Sequence, residues 1–260
     1  MTRKQSKATQ QANMQHASER AAAIRAEHER KERRSRALVV AAAVIGVLLV
    51  VVAIAVGLNA GGSTEGQTSS PPDNVVDEYA LAMGDNGAPV TVTVYEDMMC
   101  PYCGLFEQVS SDKLKEYAES GDVEVRYHVV SFLDRASEDR YSTRAANALA
   151  VVHDTAGPEV AVEFHDALFA NQPEEGGAGL SDEQMIDMAV EAGADEKAIT
   201  GPIADLKFEP WVEDSTEAWS KRGHTGTPTV TVNDEKIDFS SAEDLLANTE
   251  KAIAEALGEQ

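Results

Sequence analysis

The stretch that decides the fold is Val90-Thr-Val-Thr-Val-Tyr95, which is followed after four residues by Cys100-Pro101-Tyr102-Cys103. The alternation of valine with threonine and tyrosine predicts a β-strand. Apolar residues at helical spacing from Leu105 to Tyr117 predict a helix that ends at Gly121. The only two cysteines of the chain are therefore expected where this strand gives way to this helix.

The sequence beyond this helix predicts the rest of the fold. Val123 to Val129 alternates as a second strand, and a β-α-β unit requires parallel strands. Residues 136–222 contain several helical runs, one of which starts with a capping box at Ser181. A strand at Thr229–Val232, a short strand around Lys236 to Phe239 and a helix from Ser241 to Leu257 complete the order β-α-β, helical insert, β-β-α.

The spacing of the cysteine pair predicts redox chemistry. Unpaired N–H groups at a helix start stabilise a negative charge, so Cys100 is expected to be a thiolate. Pro101 suits the first helical position, since its missing N–H would have had no partner there. Cys103, one turn further on, is close enough to form a disulfide with Cys100 and is expected to be the resolving thiol.

Two other roles of the cysteine pair are weighed against redox use. A zinc site needs four ligands, and no histidine lies at ligand spacing from the pair, so the sequence predicts no metal. A structural disulfide that closes so small a loop would add little stability through chain entropy. Thiol–disulfide exchange is the function that fits the pair best.

A second motif is Gly226-Thr-Pro-Thr229, where a proline opens a predicted strand. Proline cannot donate to a sheet ladder, and an X–Pro bond in a close approach can be cis. If Pro228 packs against the cysteines, Thr227 can offer backbone groups to an extended substrate peptide. An ordinary turn proline is the alternative.

Acidic residues lie directly before the cysteines. Glu96 and Asp97 are candidates for a proton relay to Cys103, although acidic residues in a loop are usually solvated. His165, on a predicted helix of the insert, is expected to pack or to face solvent.

Charge is distributed unevenly along the chain, with a net +6 over residues 1–36 and −29 over residues 59–260. Nucleic acid is not expected as a partner, because phosphate binding needs a basic face and the cations of the acidic part do not cluster. The acid excess is expected to be a solvated surface.

Residues 37–58 contain no charged side chain and, at about 33 Å of helix, are long enough to cross a bilayer. An uncleaved anchor fits better than a signal peptide, because the apolar stretch exceeds a usual signal core. The basic residues before it place the N-terminus in the cytoplasm. Residues 59–74 predict a flexible linker, and everything after residue 58 is expected to be extracytoplasmic, where disulfides persist.

Three separated motifs resemble one known family. They are Val94-Tyr-Glu-Asp-Met-Met-Cys-Pro-Tyr-Cys-Gly-Leu-Phe106, Phe164-His-Asp-Ala-Leu-Phe-Ala-Asn-Gln172 and Gly226-Thr-Pro-Thr229. Together they resemble the DsbA family of thioredoxin-fold oxidoreductases, in its membrane-anchored Gram-positive branch, over residues 75–260. The resemblance implies an α/β thioredoxin-like fold, made of residues 75–135 and 223–260 and interrupted by a helical insertion of residues 136–222.

The resemblance also implies roles and partners. Cys100 would attack, Cys103 would resolve, and Pro228 would be the cis-proline, with Pro101, Tyr102 and Thr227 supporting them. No cofactor is implied. The implied partners are cysteine-containing secreted or unfolded polypeptides and a quinone-linked membrane thiol oxidase that restores the disulfide.

Two departures keep the direction of exchange open. Many relatives have histidine where this chain has Tyr102, and the histidine makes their disulfide strongly oxidising. Tyr102 together with Thr227 also resembles the isomerase and reductase branch, whose separate dimerisation domain has no room here. A disulfide oxidase is the expected function, with a reductase or isomerase and a non-enzymatic binding domain as alternatives.

Overall fold

The computed structural model describes residues 70–258. Its strands are β1 (Leu81–Met83), β2 (Val90–Glu96), β3 (Val123–Val129), β4 (Thr229–Val232) and β5 (Glu235–Lys236). Its helices are α1 (Pro101–Ser120), α2 (Tyr141–Ala156), α3 (Pro158–Ala170), α4 (Asp182–Ala192), α5 (Glu196–Ala204), α6 (Glu209–Lys221) and α7 (Ala242–Leu257), and a 3-10 turn (Phe132–Ala136) lies before α2.

The five strands form one mixed sheet in the order β1-β3-β2-β4-β5. β2 and β3 are parallel, with Val90 opposite Val123 and Glu96 opposite Val129, which confirms the predicted β-α-β unit. β4 pairs antiparallel with the other side of β2. The central strand β2 therefore ends at Glu96, four residues before Cys100, with a neighbouring strand on each side.

Two strands differ from the sequence prediction. β1 was not predicted because a strand of three residues shows too little alternation, yet it pairs antiparallel with β3. The strand predicted around Lys236 to Phe239 is shorter and lies earlier, at Glu235–Lys236. Both residues of β5 are exposed at the sheet edge, and the Ile237 N–H makes one further bond to the Val230 carbonyl oxygen at 2.9 Å.

Two large apolar cores hold the helices in place, beside a small third cluster of Tyr95, Val130 and Trp219. One lies between the sheet, α1 and α7, and includes Val92, Phe106 and Leu245. The other lies among α2 to α6 and includes Phe164 and Trp211. Cys100 and Cys103 belong to the second core, although α1 carries them, so the thiols lie where the helical block meets the sheet-bearing part.

The predicted membrane span, residues 37–58, lies outside the described residues, as do residues 1–36 and nearly all of the predicted linker 59–74. Across residues 70–258, none of the helices combines the length and apolarity that a bilayer crossing requires.

Candidate active site

Cys100 lies at the N-cap position of α1, with extended backbone angles of φ −73° and ψ 115°, and Pro101 occupies the first turn. The N–H groups of Cys103 and Gly104 both donate to the Cys100 carbonyl oxygen, at 3.0 and 3.2 Å, and so begin the helix. Both cysteines are free thiols, 5% exposed at Cys100 and 1% exposed at Cys103. The exposure favours Cys100 as the sulfur that meets a substrate.

The two thiols differ in acidity. A hydrogen bond from the Cys103 thiol lowers the pKa of Cys100 to about 6, and the Thr227 side chain and two backbone N–H groups assist it against the effect of burial. Burial raises the pKa of Cys103 well above its ordinary value, and the charges of Cys100 and Glu96 raise it further. At neutral pH the pair therefore consists of a Cys100 thiolate and a protonated Cys103.

The Thr227–Pro228 segment lies against the same sulfur. The peptide bond between the two residues is cis, and Pro228 is buried. The Cys100 sulfur is 3.3 Å from the Thr227 carbonyl oxygen, to which the thiol form donates. β4 starts immediately afterwards at Thr229, whose hydroxyl donates to the Gly226 carbonyl at 2.8 Å.

Gln172, just beyond α3, binds the loop that carries Cys100. Its Nε2 donates to the carbonyl oxygens of Met98 and Cys100 at 3.0 and 2.9 Å. An added Cβ at Gly104 would lie 2.3 Å from Gln172 Oε1, so the amide fits only because Gly104 has no side chain. A residue from the helical block thereby positions the backbone of the cysteine motif.

We expect Gly104→Ala to destabilise the protein by about 1–2 kcal/mol, because the new methyl group displaces Gln172 from two hydrogen bonds. In a Gln172→Ala background the sign should reverse, since alanine is favoured over glycine in a helix by about 1 kcal/mol. Urea unfolding of the wild type, both single variants and the double variant measures this coupling. Equal effects of Gly104→Ala in the two backgrounds would show that the Gln172 side chain does not depend on the missing side chain at Gly104.

Asp97 is fully buried beside the motif and accepts three hydrogen bonds. Its carboxylate accepts from the Met99 N–H at 2.9 Å, the Ser142 hydroxyl at 2.6 Å and the Leu133 N–H at 2.8 Å. Burial raises its pKa to about 7, against the effect of these three donors, and the charge of Cys100 adds to the rise. The alternative prediction, that Asp97 is solvated in a loop, is therefore wrong.

Glu96 is buried as well, and its partner was missed by the sequence reasoning. Glu96 Oε1 is 2.6 Å from Nε2 of His165, a residue of α3 that is 1% exposed. The two residues are 69 positions apart, so no local spacing could have paired them. The role of Glu96 and Asp97 as a proton relay stays a prediction.

Exposed apolar side chains lie at the start of α1, next to the cysteines in sequence. Tyr102 is 68% exposed and Leu105 is 51% exposed. In the 3-10 turn, Phe132 is 38% exposed and its ring is tilted by 56° against the ring of Trp219, with ring centroids 5.1 Å apart. Tyr102 thus projects into solvent beside the thiolate rather than packing on it.

A family model described as Thioredoxin matches residues 77–251. With the Cys100 and Cys103 geometry, this match defines a thioredoxin-fold thiol–disulfide oxidoreductase, and the predicted fold with a helical insertion is confirmed. The oxidised crystal structure of Mycobacterium tuberculosis DsbA is 30% identical and covers 67% of this chain and 92% of its own, with a TM-score of 0.57. The chain belongs to the DsbA family.

Two curated relatives differ in how much of them is matched. Disulfide bond formation protein D of Bacillus subtilis is 27% identical over 174 residues, which are 66% of this chain and 76% of that protein. The serine/threonine-protein kinase PknE of M. tuberculosis is 32% identical over 122 residues, which are 45% of this chain but 22% of the kinase. This chain thus resembles only a small part of the kinase.

Proposed function

We propose that the protein is an extracytoplasmic disulfide oxidase that introduces disulfides into secreted or unfolded polypeptides through Cys100 and Cys103. The observation that carries the proposal is the lowered pKa of Cys100, about 6, at the start of α1. A thiolate that is stable at neutral pH is a good leaving group and stabilises the reduced pair, so the disulfide tends to pass to the substrate.

The exchange proceeds in two displacements. A substrate thiolate attacks Cys100 of the disulfide, the bond between the two cysteines breaks, and Cys103 leaves and takes up a proton. The second substrate thiolate then attacks the substrate sulfur of the mixed disulfide and releases Cys100 as a thiolate. The substrate loses two electrons as its disulfide forms, and the enzyme pair gains them.

The direction of exchange is tested with the oxidised protein and a reduced, unfolded disulfide protein in equal amounts. An oxidase is expected to form substrate disulfides stoichiometrically and to have a reduction potential near or above the extracytoplasmic poise. A potential near that of thioredoxin would instead identify a reductase, the alternative that the Tyr102 and Thr227 pairing favours. Failure to form substrate disulfides would contradict the oxidase.

We propose Asp97 as the group that exchanges a proton with Cys103. Its pKa of about 7 suits proton transfer at neutral pH, and its backbone N–H lowers the pKa of Cys103, which places it near that thiol. Asp97→Asn is expected to slow attack by Cys103 on a Cys100 mixed disulfide by about 100-fold and to flatten the rate profile around pH 7. Stopped-flow measurement with exposed Asp112→Asn as the control checks this. An unchanged pH profile would exclude the relay.

We further propose that residues 37–58 anchor the protein in the membrane and that a quinone-linked membrane oxidase restores the disulfide. The apolar stretch and the basic residues before it support this topology. After intact cells are reduced with a membrane-impermeant phosphine, a membrane-impermeant maleimide should label Cys100 of a Cys103→Ala variant. Labelling only after lysis would contradict the topology and leave the redox chemistry untouched.

A further inference from the structure

A buried polar cluster joins β2, α1 and α3 close to the cysteines. It contains Glu96 at the end of β2, Glu107 one helical turn after Cys103, and His165 of α3. These side chains are 2%, 5% and 1% exposed. The Cys100 and Cys103 chemistry proposed above does not use Glu107 or His165.

The imidazole of His165 is held on one side only. Its Nε2 is 2.6 Å from Glu96 Oε1, whereas its Nδ1 is 3.7 Å from Glu107 Oε1 and 3.5 Å from Asp166 Oδ1. Hydrogen bonds of this kind span 2.7–3.2 Å. Accordingly, Nδ1, Glu107 Oε1 and Asp166 Oδ1 all lack a hydrogen-bond partner, as does the buried hydroxyl of Tyr127, whose ring lies 4.3 Å from the imidazole.

Unsatisfied polar atoms are rare in protein interiors, and several at one place indicate a missing ion or water. The charges favour a cation. Glu96, Glu107 and Asp166 supply three carboxylates, and Lys115, which pairs with Asp166, supplies one positive charge. Against the effect of burial, the charges of Glu96 and Glu107 raise the pKa of His165 well above its ordinary value, so the metal-free imidazole carries a proton. A divalent cation that displaces this proton would face an excess of two negative charges from the three ionised carboxylates and Lys115, which it would balance.

We propose that a divalent metal ion binds between His165 Nδ1 and Glu107 Oε1 of this cluster, with the neighbouring Asp166 Oδ1, 3.5 Å from Nδ1, as the third ligand. Ligand bonds of about 2.1 Å in a tetrahedral arrangement separate ligand atoms by about 3.4 Å, close to the two gaps around Nδ1. Glu96 accepts the Nε2 proton, as carboxylates commonly do for metal-bound histidines. One imidazole and two carboxylates suit Zn²⁺ or Mn²⁺.

The ion has a route to the site. Glu107 and Asp166 line an open groove of about 620 Å³ that also reaches Pro101 and Gln172. A cation there would link α1 to α3, and its charge would oppose the effect of Glu96 on Cys103. The sequence predicted no metal, because the ligands come from separate helices.

Binding is measured on the full-length protein without a histidine tag, with Cys100 and Cys103 oxidised so that no thiolate can bind metal. After chelation and dialysis, calorimetric titration with Zn²⁺ and Mn²⁺ is expected to show one ion per chain. Glu107→Gln and His165→Gln should weaken binding at least about tenfold. Glu116→Gln, on the same helix but 70% exposed, should leave the affinity unchanged.

A spectroscopic measurement on the wild-type protein tests the same ligand if the variants fail to fold. Pulsed electron paramagnetic resonance of the Mn²⁺-loaded wild type should show coupling to an imidazole nitrogen. No saturable binding, equal affinities in all variants, or a bound ion without nitrogen coupling would overturn the proposal and indicate a protonated His165 or ordered water instead. None of these outcomes depends on the redox direction.

Discussion

Replacing Cys103 with alanine is expected to abolish disulfide transfer and to leave a Cys100 that forms stable mixed disulfides. The chain has only two cysteines, so Cys103 is the one thiol of the protein that can displace a partner from Cys100. Activation of this variant with Ellman's reagent, followed by an unfolded polypeptide with a single cysteine, should give a covalent complex on a non-reducing gel. The amount of thionitrobenzoate released in the second step measures how much mixed disulfide forms.

The matched variant is Cys100→Ala, which leaves only the buried Cys103 with its raised pKa. At pH 7 its reaction with Ellman's reagent should be at least about tenfold slower than that of Cys103→Ala. Cys100 keeps the Thr227 and backbone contacts that lower its pKa when Cys103 is replaced, whereas the raised pKa of Cys103 leaves under about one per cent thiolate. Equal rates in the two variants would show that the assignment of attacking and resolving thiols is wrong.

The reduced protein is expected to gain stability relative to the oxidised protein as the pH rises from 5 to 8.5. Folding lowers the pKa of Cys100 from 9.0 to about 6. A lowered pKa stabilises the folded state fully when the pH is above the pKa of the unfolded chain. This stabilisation is lost as the pH falls through the folded-state pKa of about 6. The expected gain is about 3 kcal/mol over this range, of which about 1.4 kcal/mol is present at pH 7.

Urea unfolding of both redox forms across the pH range measures this gain. Other groups with shifted pKa values, such as Asp97 and Glu107, are present in both forms and largely cancel in the difference. Reduced Cys100→Ser protein serves as the control and should not show the gain. A difference between the redox forms that does not change with pH would mean that Cys100 is an ordinary thiol.

The sequence predicted the parts of the site that local patterns encode. A strand followed by Cys100-Pro101-Tyr102-Cys103 predicts a helix start, and the proline before Thr229 predicts a strand entry. Spacing alone left an ordinary turn proline open, and the position of Pro228 beside the cysteines followed from the family resemblance. The parallel pairing of β2 and β3 followed from the helix between them.

The contacts that tune the site could not be predicted in this way. Gln172 ends the motif Phe164–Gln172, but its hydrogen bonds to Met98 and Cys100 join residues more than 70 positions apart. The Glu96 and His165 pair likewise depends on how α3 packs against the end of β2. Such contacts arise from tertiary packing, which hydrophobic periodicity does not encode.

The bonds from Gln172 to the cysteine loop bear on how this protein could be re-engineered. Excising residues 136–222 to obtain a minimal redox module would remove the donor that holds the carbonyls of Met98 and Cys100. Transplanting the four-residue motif into another thioredoxin scaffold would carry over the sulfurs without that donor. A functional chimaera must therefore inherit the insertion and the cysteine loop as one unit.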